Sequence, residues 1–160
     1  MKSINKKSLV AVIACRNQGS RLYGKPLQPL CIRTKYSVLD QVVNNIKQIS
    51  CIDKIVLAIS EGSSNKTYID YANENGLNYI IGDEIDVLGR LIEGLRLFQG
   101  TDLFRVTSES PYLYWQLVEE AWDEHKVKNF DATFLDLIID GCGFEIIKFE
   151  SLSESWRQGK

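Results

Sequence analysis

Histidine and long apolar runs are scarce in this chain. His125 is the only histidine among 160 residues, and it stands in a charged helical stretch, which argues against histidine-based acid–base chemistry. The cysteines at 15, 31, 51 and 142 form no CxxC pair, so a zinc site is not expected. They read as reduced thiols of a cytoplasmic protein, two of them in the core. No apolar segment reaches membrane-spanning length, and the one behind Lys2, Lys6 and Lys7 is too short for a signal peptide. Positive charge is not in surplus: the net charge of −2 contrasts with the basic excess of a general nucleic-acid binder. The phosphate motif GxxxxGK[ST] is missing because Lys25 is followed by Pro26, and GxGxxG occurs nowhere. There is no internal repeat or low-complexity segment.

What is present is a core-forming composition laid out in alternating elements. With 44% hydrophobic residues, the chain is long enough for one domain with a substantial core. Leu9–Cys15 and Lys54–Ser60 are short β-rich runs. Between them, apolar residues at 38, 39, 42, 43, 46 and 49 mark one face of a helix, and Ser37 with Asp40 has the spacing of a capping box. A second helix is predicted from near Ser64 to Gly76, followed by a short strand in NGLNYIIG. A third follows Asp86, weakened by Gly89 and Gly94 and ended by Gly100. Next come a strand over Leu103–Thr107, a helix over 114–127 in which Trp115 and Trp122 form a core face, and strands over Asp131–Leu135 and Phe144–Phe149. A last helix begins after Glu150. Strands separated by helices of this length predict an α/β fold, a mostly parallel sheet with helices on both faces. Ligands of such sheets bind beyond the carboxyl ends of the strands, near a topological switch point. The loop at 16–25 and the segment at 107–111 are both expected there.

The loop carries the chemistry. Arg16, Arg21 and Lys25 lie among the small residues Gly19, Ser20 and Gly24, directly after the first strand. Small residues let backbone N–H groups approach an anion, and three cations supply charge where a leaving pyrophosphate needs it. A solvated surface loop has similar composition, so the loop alone leaves both readings open.

Its R-x4-R-x3-K arrangement resembles the signature loop of cytidylyltransferases that make CMP-activated sugars, (P/Q)-A-R-x-x-S-x-R-L-P-G-K. Arg16, Arg21, Leu22, Gly24 and Lys25 match, Cys15 stands for the alanine and Tyr23 for the proline. Three further blocks follow in order. Ile85-Asp86-Val87-Leu88-Gly89-Arg90 resembles the family's E-D-D-V-L-x-R-Y, after a strand whose end, Ala58-Ile59-Ser60, stands for Ala-Thr-Ser. Arg105 to Pro111 resembles R-x-T-G-D-x-P, and Gly141 to Leu152 resembles G-x-x-V-E-V-F-S-F-E-A-L. The resemblance covers nearly the whole chain and is nearest to the branch of the spore-coat polysaccharide cytidylyltransferases, apart from the acylneuraminate and 3-deoxy-manno-octulosonate enzymes.

The resemblance implies a Rossmann-like nucleotide-diphospho-sugar transferase fold spanning 1–160, lacking the family's C-terminal portion. It implies transfer of a nucleoside monophosphate from CTP to a sugar or sugar acid, with Mg2+ and release of pyrophosphate, for surface glycan biosynthesis. Arg16 and Lys25 would be catalytic, and Ala14, Cys15, Gly19, Ser20, Arg21, Ser60, Asp86 and Arg90 would join them around the nucleotide. Arg90 is read equally as a surface arginine paired with Asp86. Glu109 replaces the family's metal-binding aspartate and would hold Mg2+, or it solvates the loop before Pro111. Thr107 and Glu145 would face the acceptor, with a solvent-facing strand-edge carboxylate as the alternative for Glu145. A homodimer is left open by the resemblance. Two other functions stay in play: a nucleotidyltransferase using another NTP, and a non-catalytic nucleotide-binding or dimerisation module.

Overall fold

The computed structural model describes residues 7–18, 23–135 and 137–159. Its sheet starts from the apolar run LVAVIAC, β1 (Leu9–Cys15), in which every residue but Ala14 is buried. A strand buried on both faces belongs at the centre of a covered sheet, and β1 pairs in parallel with β4 (Ile52–Ser60) on one side and β6 (Asp102–Arg105) on the other. β5 (Asn78–Gly82) extends the sheet beyond β4, again in parallel. Beyond β6, β8 (Glu145–Lys148) and then β7 (Ala132–Phe134) add antiparallel strands, giving the order β5-β4-β1-β6-β8-β7. The remaining strands, β2 (Pro29–Cys31) and β3 (Tyr36–Ser37), form a separate antiparallel hairpin that the sequence pattern does not reveal.

Helices cover both faces. α1 (Val38–Lys47), α2 (Lys66–Glu74) and α4 (Val118–Lys128) pack on the side of Leu9, Ala11 and Ile13. α3 (Val87–Leu97) and α5 (Phe149–Gln158) pack on the side of Val10 and Val12. The capping box is present: the Asp40 amide donates to Ser37 Oγ at 3.1 Å, and the Ser37 amide to Asp40 Oδ2 at 2.7 Å. Gly76, at φ 62°, ends α2 in the left-handed conformation that glycine adopts without strain. Trp122 is buried in the core and Trp115 packs against it, as expected of a helix face. α5 begins one residue before Glu150, and β6 stops two residues short of Thr107, which releases residues 106–110 as a loop.

His125 departs from the sequence expectation. It sits on α4 with its side chain fully buried, Nε2 3.1 Å from Asp102 Oδ1 and Nδ1 2.8 Å from Thr133 Oγ1. Desolvation pulls its pKa below the ordinary histidine value, outweighing the opposing pull of Asp102. This polar cluster lies at the start of β6, the opposite end of that strand from residues 106–110, and ties the sheet to α4 and β7.

Candidate functional site

The strand order reverses between β1 and β6. From β1 the chain winds outward through β4 to β5, then returns across α3 to β6 on the other side. Helices leaving neighbouring strands on opposite faces cannot fill the gap above such a point, so a crevice opens at the carboxyl ends. A cleft of about 500 Å³ lies there, lined by Ala14 at the end of β1, by Arg105 to Ser110 beyond β6, and by Lys25, Val87, Leu91 and Asp140. Its wall is predominantly polar. A larger hollow of about 760 Å³ lies against residues 111–114 and 137–139; no charged side chain lines it among the described residues, and Tyr112, Leu113 and Ile138 make it apolar. Phosphate chemistry therefore belongs in the smaller, polar cleft.

Lys25 opens a short 3-10 helix (Lys25–Leu27), and Nζ lies 3.5 Å from Glu109 Oε2. Both side chains are about half exposed, so the pair is weakly held and open to exchange. The loop between β1 and Lys25 is anchored by Asn17, which the sequence reading did not single out. Its amide donates to Asn65 Oδ1 at 2.7 Å, and its Nδ2 donates to the Ser64 carbonyl and to Thr67 Oγ1 at 3.2 Å. Its own carbonyl accepts from the Gly24 amide at 2.9 Å, at a residue with φ 61°. The Arg16 carbonyl accepts from Tyr68 Oη at 3.1 Å, which leaves the exposed Arg16 side chain on the outer side. The loop is thus fastened at both ends to the start of α2, while Gly19, Ser20 and Arg21 lie outside the described residues.

The other expected nucleotide residues have defined surroundings. Cys15 is fully buried among core side chains and its thiol is pushed up to about 12 by desolvation, so only its backbone faces the loop chemistry. Ser60, buried at the end of β4, donates to the Glu61 carbonyl at 3.3 Å. Asp86 caps α3, accepting from the Gly89 amide at 2.7 Å and from Trp156 Nε1 at 2.8 and 3.0 Å. Arg90 is 3% exposed; its Nη1 donates to the carbonyls of Asp83 and Glu84, the latter at 3.0 Å, and its Nε has no partner. That places the guanidinium inside the β5–α3 turn instead of on the helix surface. Burial and the nearby Arg16 charge lower its pKa from the ordinary arginine value. Asp86 and Arg90 thus shape the turn that sets Val87 and Leu91 on the cleft wall.

Across the cleft, Thr107 and Glu109 lie on the 106–110 loop. Glu145, on β8, has both carboxylate oxygens near Arg105 Nη1, at 2.6 and 2.7 Å. Their register explains the contact, because Arg105 and Glu145 are directly paired across the antiparallel β6–β8 ladder. Asp140 is a further carboxylate on the cleft that the sequence reading missed. Among the described residues, no three His, Cys, Asp or Glu side chains gather as a metal-holding group. The carboxylates of Glu109 and Asp140 are nevertheless hard oxygen donors of the kind Mg2+ takes one or two at a time, with phosphate oxygens and water completing its shell.

No protein-family model matches the chain. It is 25% identical to an uncharacterized protein of Methanocaldococcus jannaschii over 95% of its own length and 61% of that protein's. It is 23% identical to the spore coat polysaccharide biosynthesis protein SpsF of Bacillus subtilis over 94% of its own length and 67% of that protein's. The chain thus spans about three-fifths to two-thirds of these curated relatives. In fold it is similar to a cytidylyltransferase from Leptospira borgpetersenii, with a TM-score of 0.82 at 17% identity, covering 92% of this chain and 63% of that one. It is similar also to CMP:2-keto-3-deoxy-manno-octonic acid synthetase complexed with CTP, with a TM-score of 0.72 at 14% identity over 94% of this chain and 78% of that one. A manganese complex of the Mycobacterium tuberculosis protein Rv0371c shares the fold with a TM-score of 0.63 at 14% identity, over 95% of this chain and 81% of that one. The chain therefore has the Rossmann-like nucleotidyltransferase fold of the cytidylyltransferases, and the resemblance to them extends to its sequence.

Proposed function

We propose that this chain is a nucleotidyltransferase, specifically a cytidylyltransferase, that transfers a nucleoside monophosphate from CTP to a sugar or sugar acid for surface glycan biosynthesis. The observation that carries the reading is the meeting of Ala14, Lys25 and residues 107–110 in one polar cleft at the strand-order reversal. An oxygen of the acceptor attacks the α-phosphorus and the bond to pyrophosphate breaks. The nucleophile belongs to the acceptor, so the protein positions the reactants and stabilises charge.

Lys25 exchanges Glu109 for phosphate as CTP enters and stabilises the negative charge that builds on the leaving pyrophosphate. Arg16 and Arg21 hold the outer phosphates, and backbone groups of Ala14, Cys15, Gly19 and Ser20 approach them closely. Ser60 sits toward the base and ribose, with Asp86 and Arg90 holding the turn beside them. Glu109, released from Lys25, and Asp140 would hold Mg2+, which supplies further neutralisation of the phosphates. Such an enzyme works in the cytoplasm, where CTP is made available. No helix among the described residues is long and apolar enough to cross a membrane.

Calorimetric titration of CTP, GTP, UTP and ATP with and without Mg2+ tests the reading. CTP is expected to bind in a Mg2+-dependent way, and Lys25→Ala or Arg16→Ala to weaken it roughly tenfold to a hundredfold, the worth of a hydrogen bond to a charged group. Binding of a different triphosphate would replace the base assignment. No binding of any of the four would overturn the reading in favour of a module that keeps the fold without the chemistry.

A further inference from the structure

We infer that the acceptor of this site carries no carboxylate and is a neutral or amino sugar. The inference rests on the nucleotidyltransferase reading and narrows its acceptor. A second chamber of about 230 Å³, on the scale of one monosaccharide ring, opens off the phosphate cleft. The two share Arg105, Val106, Thr107, Asp140 and Gly141, so a group seated in the chamber borders the space where the α-phosphorus would lie.

The chamber's charges decide what can sit there. Its charged lining among the described residues is Arg105, Glu145 and Asp140, one cation against two anions. The single guanidinium is already committed, with Nη1 between the two oxygens of Glu145 at 2.6 and 2.7 Å. A carboxylate entering here would meet two like charges and would have to compete with Glu145 for Arg105. Like-charge juxtaposition of this kind is a strong discriminator against a wrong ligand.

Hydroxyl and ammonium groups meet the opposite situation. Carboxylates accept from both, and the Thr107 hydroxyl donates or accepts. Phe134, with 65% of its surface exposed, presents an apolar ring beside these groups, suited to the C–H face of a pyranose. An apolar wall with a few polar groups that fix orientation is the usual make-up of a small-molecule site.

Saturation-transfer NMR on the CTP-loaded protein, using glucose, glucosamine and glucuronate as probes, tests the inference. Glucose and glucosamine are expected to bind, with glucuronate weaker by roughly tenfold or more. Glu145→Gln, which keeps shape and removes one negative charge, should narrow the gap between glucosamine and glucuronate. Phe134→Ala should weaken all three probes alike. Glucuronate binding as well as glucose, a Glu145→Gln protein with an unchanged ratio, or no response from any probe would each overturn the inference. Calorimetry with CTP on the same samples separates the two levels. If CTP binds and the sugars disobey, only the acceptor assignment fails; if CTP does not bind, the nucleotidyltransferase reading itself fails.

Discussion

Replacing Asn17 with alanine tests whether the phosphate loop is held from outside its own sequence. The side chain is 4% exposed, and its Nδ2 donates to the Ser64 carbonyl and to Thr67 Oγ1. Two side-chain hydrogen bonds at about 1 kcal/mol each put the loss near 2 kcal/mol. Ser64 is only half buried and Thr67 is exposed, so water can replace the lost donor and no further desolvation cost arises. The Asn17 amide keeps its bond to Asn65 Oδ1, so the backbone stays in place and the protein stays folded. In urea, about 2 kcal/mol appears as a midpoint lowered by roughly 1 M at an ordinary denaturant slope.

Asn17→Asp is the sharper variant. It keeps the volume but turns a donor into an acceptor facing the Ser64 carbonyl, and it should cost more than alanine. If Lys25 and Arg16 act from this loop, CTP affinity should fall in both variants although neither removes a positive charge. Stabilities within about 0.5 kcal/mol of the parent in both variants, with CTP binding unchanged, would refute the anchoring argument.

Two other perturbations probe the scaffold. A Cβ on Gly94 would lie 2.9 Å from Val12 Cγ1 and 3.7 Å from Val56 Cγ1, so Gly94→Ala should destabilise by overpacking, about 1–3 kcal/mol less the roughly 1 kcal/mol gained in helix propensity; a melting temperature equal to or above the parent's would contradict the close α3–sheet contact. His125, facing Asp102 with Lys7 and Lys148 nearby, has its folded pKa depressed by burial. The unfolded chain therefore takes up its proton first on acidification. The stability that His125 lends is complete above about pH 6.5, the ordinary histidine value, and is lost as the pH falls below it. Denaturant midpoints between pH 5 and 8 should show that slope, and His125→Gln should flatten it.

Much of the scaffold was legible because its causes are local. Seven consecutive apolar or small residues at Leu9–Cys15 made a doubly covered strand, a serine and an aspartate three apart capped α1, and Gly76 closed α2. Each signal acts within a few residues, through side-chain period or backbone conformation. The hairpin of β2 and β3 escaped because its strands are two and three residues long and mostly exposed, which leaves no apolar alternation.

The sequence by itself determined the βα alternation, the place of a cationic loop after the first strand and the resemblance that predicted the fold. Only the tertiary structure decided which side chains meet. Asn17 reaches across 48 residues to Asn65, Arg105 across 40 to Glu145, and Asp102 across 23 to His125. Arg90 turned inward, where burial and two backbone carbonyls claim a guanidinium that its sequence surroundings offered equally to solvent or to Asp86. Such contacts depend on strand order and register, which arise from packing the whole sheet and leave no periodic trace in the segments they join.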